Sequence, residues 1–246
     1  MLARSNAVRF KLFIRTQAGT EHFLASTVKH RLRYMRWKTA ALLLLVLSAS
    51  ALAAPRVETT GPCTDSAVAD AVRKALAPQG YRVILDDGST VDLWPPAQIQ
   101  SSAKTREDAM YPLAPSLFFG VIHFAKNARD ARGNAISPGT YNLRYELQPN
   151  DGNHLGTSPT RDFLLLVPTA ADTNPAESYS FDQVIHLSEQ VTGKKHPAVF
   201  NLVPADAQQF PSVVTDSGDH IILFFRVKTQ SGELPLALVV KGTTEE

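Results

Sequence analysis

Residues Gly133 to Leu147, which read GNAISPGTYNLRYEL, contain the clearest strand pattern in the chain. Its Pro138-Gly139 dipeptide is typical of a tight turn, because proline presets φ and glycine accepts positive φ. After this turn, polar residues alternate with tyrosine and leucine over eight positions. A period of two residues predicts a β-strand with one apolar and one polar face. We expect the tyrosine and leucine face to be buried and the polar face to be open to water.

Strand patterns of the same kind lie on both sides of this stretch. Residues 81–94 predict a hairpin that turns at Asp87-Gly88. Leu117 to Phe124 is apolar on both faces, which indicates a central strand, and Gly120 inside it indicates a bulge or a close approach. Further strands are predicted at 163–167, 198–203, 213–215, 220–229 and 234–241. Pro235 suggests that the last of these begins at a sheet edge.

Two short helices are predicted between the strands. Residues 64–76 repeat an apolar residue every four positions, with Thr64 or Asp65 as the cap. Residues 180–192 begin with a serine-x-x-glutamine capping box and are followed by Gly193, a good residue to end a helix. Strand-turn-strand spacing dominates and alternating βαβ units are absent. We therefore predict a mainly β fold, an antiparallel β-sandwich or jelly-roll-like single domain with two short helices.

The N-terminal part of the chain predicts export. Residues 35–53 have the order of a signal peptide: a basic start at Met35, an apolar run from Thr39 to Leu47, and Ala51-Leu52-Ala53 as a cleavage site. The alternative is a membrane anchor. The apolar run is about half of the roughly 20 residues that span a bilayer, so we expect no stable membrane span after cleavage.

The assignment of residues 35–53 as a signal peptide sets the boundaries of the other segments. We interpret residues 1–34 as an over-extended start, disordered or loosely helical, and an extended targeting arm is the alternative. Residues 54–63 are expected to be a flexible lead-in, and residues 64–246 the β-sandwich domain. The chain has one cysteine, Cys63, which excludes an intrachain disulfide.

Charge and motifs limit the possible functions. Residues 1–53 hold nine Lys/Arg and one Glu, so residues 54–246 hold 16 basic and 22 acidic residues. This mildly acidic balance argues against nucleic-acid binding. The sequence contains no GxSxG, HExxH, Walker, GxGxxG or CxxC motif, and we expect no cofactor.

The most polar loop, Gln148 to Arg161, carries the candidate ligand-binding residues Asp151 and His154, with Asp162 at its end. Loops on a rigid β scaffold often carry binding groups. A histidine beside aspartates can orient a base or bind a metal, and His123 on a nearby strand would be a further ligand. The alternative is that these aspartates only stabilise turns and that the histidine is an ordinary surface residue.

Three stretches carry a resemblance. Residues 80–94, 133–147 and 151–166 resemble parts of exported bacterial proteins of unassigned activity. Residues 136–143 are also similar to the strand opening of a β-rich domain of unknown function. The resemblance implies a bacterial, exported, β-rich protein, periplasmic or extracellular, and supplies no catalytic residue.

Three functions fit these observations. The first is a non-catalytic module that binds a ligand or an envelope protein. The second is a hydrolase or metal-dependent enzyme that uses the loop 148–162. The third is a structural subunit of an envelope assembly that pairs through the edge at Leu234–Lys241.

Overall fold

A computed structural model of the chain describes residues 53–102, 105–106, 109–149 and 160–242. The predicted signal peptide, apart from its last residue Ala53, and the segment before it lie outside the described residues. Within them the chain is mainly β, with antiparallel strands and two short helices, as the sequence predicts. The strands are β1 (Arg56–Thr60), β2 (Gly80–Ile84), β3 (Thr90–Trp94), β4 (Phe118–Phe124), β5 (Ala128–Arg129), β6 (Ala135–Ile136), β7 (Gly139–Leu147), β8 (Asp162–Pro168), β9 (Val199–Val203), β10 (Ser212–Thr215), β11 (Ile221–Lys228) and β12 (Glu233–Lys241). The helices are α1 (Asp70–Ala75) and α2 (Phe181–Thr192).

Ten of the strands form one continuous sheet. Its order is β1-β2-β3-β4-β7-β8-β9-β12-β11-β10, and β5 and β6 form a small separate hairpin. The sheet curls until its two edge strands, β1 and β10, lie with Cα atoms within 8 Å of each other. The shape is therefore that of a nearly closed barrel, whereas the sequence predicts two stacked layers.

Apolar side chains from opposite walls fill the interior of this sheet. Phe119 of β4 meets Phe225 of β11 edge-on, with ring centroids 6.3 Å apart. Phe124 of β4 stacks on Phe200 of β9 at 5.6 Å. All four side chains are at most 1% exposed. Such aromatic contacts stabilise the fold beyond the area that they bury, and they show that the interior is packed rather than open.

Three segments cover apolar patches on the outside of the sheet. The N-terminal segment with α1 covers a patch that includes Trp94 and Phe118. Helix α2 covers a second patch on β8 and β9, where Phe163 and Val184 are buried. Residues 203–210 lie against a third patch on β11 and β12. The sheet is therefore buried on both faces over much of its area.

Local predictions are confirmed at the turns and at the strand bulge. The β2–β3 hairpin turns at Gly88, whose φ is 75°. The register of β4 against β7 shifts between Phe118 and Gly120. Gly120 has a φ of 132°, and a Cβ added there would lie 2.3 Å from the carbonyl oxygen of Trp94. Only glycine fits where the two backbones approach so closely.

Three predictions about the ends of elements are wrong. Helix α1 begins at Asp70 and has no side-chain cap, because its N-cap residue is Ala69; the Asp65 carboxylate accepts hydrogen bonds from the Ala67 N–H and the Thr140 hydroxyl instead. The predicted flexible lead-in contains the strand β1, whose exposed residues carry no burial pattern and which is stabilised by backbone pairing with β2. The strand β12 lies between β9 and β11, so Leu234–Lys241 is not a free edge strand of the sheet, although its first residues pair with β11 alone because β9 pairs only with Ala237 and Leu238.

The prediction that the polar face of β7 is open to water is also wrong. Asn142 and Arg144 are 0% exposed and Glu146 is 2% exposed. The loop that follows β8 crosses this face and brings a buried carboxylate, Asp172, to Arg144. Period-two alternation identifies the strand, but it does not show what covers the polar side.

Arg144 satisfies all of its side-chain donors in this buried site. Its Nε and Nη2 donate to the Asp172 carboxylate at 2.8 and 2.5 Å. Its remaining N–H groups donate to the carbonyl oxygens of Ser116, Glu177 and Asn174 at 2.9, 2.7 and 3.0 Å. Arginine has five N–H donors, and here each has an acceptor. The contact ties the loop after β8 to the outside of the sheet.

Candidate ligand-binding cleft

Of the three predicted site residues, the structure describes Asp162. Its carboxylate is 0% exposed and accepts hydrogen bonds from the backbone N–H groups of Met110 and Tyr111 at 2.8 and 3.0 Å. The Tyr145 hydroxyl donates a third hydrogen bond at 2.7 Å. Asp162 thus holds the 110–111 segment to the sheet. Asp151 and His154 lie outside the described residues, so the convergence of the three side chains stays a prediction.

His123, the further ligand suggested by the sequence, lies on the opposite face of the sheet from Asp162. It is paired across strands with Thr140, and its Nδ1 lies 2.8 Å from the Thr140 hydroxyl oxygen. That hydroxyl donates in turn to the Asp65 carboxylate, which lowers the pKa of Asp65. The three groups fasten the N-terminal segment to the sheet. The structure does not bring His123 and Asp162 together.

Glu146 is a titratable residue whose side chain is buried away from solvent. Burial raises its pKa to about 7, and the Arg106 charge and the hydrogen bond from the Ser116 N–H, 3.0 Å long, offset part of this rise. A carboxyl with such a pKa is suited to proton transfer. Glu146 is only 2% exposed and lines none of the clefts described below. We therefore assign Glu146 a structural role rather than a catalytic one.

A cleft of about 240 Å³ lies on the outside of the sheet, beside α2. Its walls come from α2, from the segment after it, from β8 and β9, from the β5–β6 turn and from the ends of the 148–161 loop. The lining residues are Ala131, Arg132, Gln148, Pro149, Thr160, Phe163, Phe181, Ile185, Lys195, His196, Pro197, Val199 and Asn201. We call this space the α2 cleft.

Asp130 fixes one wall of the α2 cleft. Its carboxylate is 0% exposed and accepts hydrogen bonds from the backbone N–H groups of Arg132 at 2.9 Å and Asn134 at 2.8 Å. It also accepts from the Asn134 side-chain amide at 3.1 Å and from the Val199 N–H at 3.3 Å. One buried carboxylate thus joins the β5–β6 turn to β9. The arrangement orders the turn that carries Arg132.

Helix α2 forms the second wall, and its position is set at both ends. The Ser180 hydroxyl accepts from the Gln183 N–H, and the Gln183 side chain accepts from the Ser180 N–H, as the predicted capping box requires. Gly193 ends the helix with a φ of 65°. Within the helix, the buried Ser188 hydroxyl accepts from the Ala198 N–H at 2.9 Å. The helix is therefore fixed against the start of β9.

The ends of the 148–161 loop lie at the rim of the cleft. The Gln148 N–H donates to the Arg161 carbonyl oxygen, and the Arg161 Nε donates to the Gln148 carbonyl oxygen, both at 2.8 Å. The Thr160 hydroxyl donates to the Leu202 carbonyl oxygen at 2.5 Å. These contacts extend the β7–β8 hairpin and hold both ends of the loop beside the cleft.

The polar groups of the cleft are cationic or neutral. Arg132 and Lys195 are exposed, and their side chains form no hydrogen bond or ion pair with the residues that the structure describes. The other polar residues of the described lining are neutral side chains or histidine, namely Gln148, Thr160, His196 and Asn201, and no acidic side chain is among the described lining residues. The fold places Lys195 and His196 beside β9 and the turn at Arg132, a proximity with no local sequence signal.

The described residues hold no group of three or more His, Cys, Asp or Glu placed to bind a metal ion. No helix in the described ranges combines the length and the apolar character needed to cross a membrane.

Comparisons with protein-family models, with curated proteins and with solved structures found no match to this chain.

Proposed function

We propose that this protein is an exported, non-catalytic module that binds a small ligand in the α2 cleft. The observation that carries the proposal is the cleft itself, an apolar recess with a few polar groups at its rim, held by buried hydrogen bonds at Asp130 and Ser188. Small-molecule sites generally have this composition and are largely pre-formed. Export rests on the signal-peptide pattern at residues 35–53.

The barrel-like scaffold supports a site of this kind. Its interior is filled by side chains, so a ligand has to bind outside it. As the finer description of the fold, we propose a flattened barrel of sandwich-like cross-section. The support for this is the direct packing of Phe119 on Phe225 from opposite walls.

The two alternatives have less support. For the enzyme alternative, the oxygens of Asp162 are occupied by donors of the protein. For the envelope-subunit alternative, β12 is flanked by β9 and β11. No specific observation supports either alternative.

Shift mapping by NMR with 1-hexanol, a small neutral amphiphile, tests the proposed site in the full chain. We expect the backbone amide shifts of residues 131–132, 181–185 and 195–201 to move together. The variant Ile185→Trp fills the cleft and should abolish these shifts. The control variant Val214→Trp adds the same ring at an exposed residue of β10 and should preserve them. Shifts that spread over the surface, or that persist in Ile185→Trp, would refute the site.

Recovery of the protein after expression in a bacterium tests export separately. We expect a periplasmic or extracellular form that begins at Ala54. An uncleaved chain in the cytoplasm would contradict the export prediction.

A further inference from the structure

We infer that the ligand of the α2 cleft is a small amphipathic anion, with an apolar body and one carboxylate or phosphate head. This inference rests on the proposed binding function of the cleft. It assigns the class of ligand from the distribution of apolar and charged groups along the cleft walls.

The apolar body is matched by the walls of the cleft. Phe181 and Ile185 approach from α2, and Phe163 and Val199 from β8 and β9, with Pro197 beside them. Phe163 is buried, whereas Phe181, Ile185 and Val199 are only half-buried. A ligand that covered these side chains would remove apolar surface from water, which is the general driving force for such binding.

The anionic head is matched by the rim. Arg132 and Lys195 both line the cleft, and neither is neutralised by a described side chain. The acidic residue closest to Arg132 in the sequence is Asp130. The four hydrogen bonds that Asp130 accepts come from backbone and amide N–H groups, and none comes from the Arg132 guanidinium. The guanidinium therefore remains available to bind a carboxylate or a phosphate.

Two other clefts of the described structure lack this charge pattern. A groove of about 530 Å³ at one end of the barrel contains Arg226, which is paired with Glu233 in the same lining. A recess of about 170 Å³ at the other end contains Asp87, and its Lys241 is paired with Asp86. Among these three clefts, the α2 cleft is the one that combines unpaired cations with no acidic side chain among the described lining residues.

The volume limits the size of the ligand. Clefts that hold drug-sized ligands have volumes of about 300–1,000 Å³, and the α2 cleft has about 240 Å³. A chain of about six carbons or one aromatic ring, together with an ionic head, is the size of body that fits such a space.

Titration of the full chain with four six-carbon probes tests the inference, with amide shifts as the readout. The probes are hexanoate, hexyl phosphate, 1-hexanol and hexylamine. We expect both anions to bind at least about fivefold more tightly than the alcohol, and the amine to bind most weakly. Added salt should weaken anion binding and leave alcohol binding unchanged. The tighter of the two anions identifies the head group.

Charge variants test which residues bind the head group. Arg132→Gln and Lys195→Gln should each weaken hexanoate binding by roughly threefold to fivefold and leave 1-hexanol unaffected. Lys74→Gln is the control, because this lysine is exposed on α1 and does not line the cleft.

The outcomes separate this inference from the proposed function. If 1-hexanol binds as tightly as hexanoate, or if the two charge variants change nothing while Ile185→Trp abolishes binding, the cleft binds a ligand and the anion assignment is wrong. If no probe shifts the cleft residues, the proposed function fails as well.

Discussion

Replacing Asp172 by asparagine tests the most unexpected feature of the fold, the buried ion pair on the outside of β7. Both side chains of the Arg144–Asp172 pair are 0% exposed. The substitution Asp172→Asn preserves the volume and removes the negative charge. Arg144 then stays charged and buried without a counter-ion, because its guanidinium does not deprotonate in proteins.

The structure sets the expected magnitude. Removing one partner of a buried ion pair costs about 3–5 kcal/mol. In Asp172→Asn, Arg144 retains the carbonyl oxygens of Ser116, Asn174 and Glu177, so we expect a loss of about 3 kcal/mol. Because one kcal/mol shifts Tm by about 2–4 °C at this size, the melting temperature should fall by about 6–12 °C.

The substitution Arg144→Met should lower the free energy of unfolding more than Asp172→Asn does. It leaves the Asp172 carboxylate buried without its cation, and it leaves the buried carbonyl oxygen of Ser116 without its donor. An unsatisfied buried acceptor costs about 1–3 kcal/mol. The carbonyl oxygens of Asn174 and Glu177 lose the same donor, but they belong to exposed residues and add less to the cost. For the same reason, we expect the apolar double variant Arg144→Met/Asp172→Leu to remain less stable than the wild type.

Urea unfolding at pH 7, followed by circular dichroism, measures these differences. Glu233→Gln is the control, because Glu233 and its partner Arg226 are both more than half exposed, and the loss should stay within about 1 kcal/mol. A loss of less than about 1 kcal/mol of unfolding free energy in Asp172→Asn would show that the Arg144–Asp172 ion pair is not desolvated. A smaller loss in Arg144→Met than in Asp172→Asn would refute the argument from the carbonyl oxygens.

Three further substitutions, and Gly88→Ala as a control, test other parts of the structure. Burial raises the pKa of Glu146 to about 7 from its ordinary value of 4.5, so its neutral form stabilises the fold below that ordinary value, and this contribution is lost as pH rises through 7. Glu146→Gln should therefore remove a fall of up to about 3 kcal/mol in unfolding free energy between pH 5 and 8, measured with urea. Gly120→Ala places a Cβ 2.3 Å from a carbonyl oxygen of β3 and should cost about 2–3 kcal/mol in the same assay, whereas Gly88→Ala meets no atom within 4 Å and should cost less. Thr140→Val removes the donor that lowers the pKa of Asp65, so the NMR-monitored titration of that carboxylate should move upward; an unchanged titration would show that Thr140 does not bind it.

A large part of the fold was predictable from local sequence. Alternation in β7, the turn glycine at Gly88 and the capping box before α2 depend on residues close together in the chain, and each is confirmed. The bulge at Gly120 was also predictable, because a glycine weakens the interior of an apolar strand and commonly marks a bulge or a close backbone approach.

The candidate site was much less predictable. The sequence directed attention to the polar loop 148–161, and the ends of that loop do line the α2 cleft. The groups that give the cleft its charge and its shape, Arg132, Lys195 and Asp130, come from segments about 60 residues apart and share no motif. Spacing rules detect only sites whose members follow each other in the chain.

Local sequence was enough to predict most of the strands, most turns, the α2 helix and the antiparallel order of neighbouring hairpins, because backbone preferences and side-chain alternation act over a few residues. Three features arise only in the folded chain: the curling of ten strands into one nearly closed sheet, the covering of the polar face of β7 by Asp172, and the meeting of Arg132 and Lys195 at one rim. Each of these features depends on contacts between segments that are distant in the sequence, which bury apolar surface against each other and pair their hydrogen-bonding groups. Such contacts depend on the whole folded chain, so the residue pattern of a single segment does not predict them.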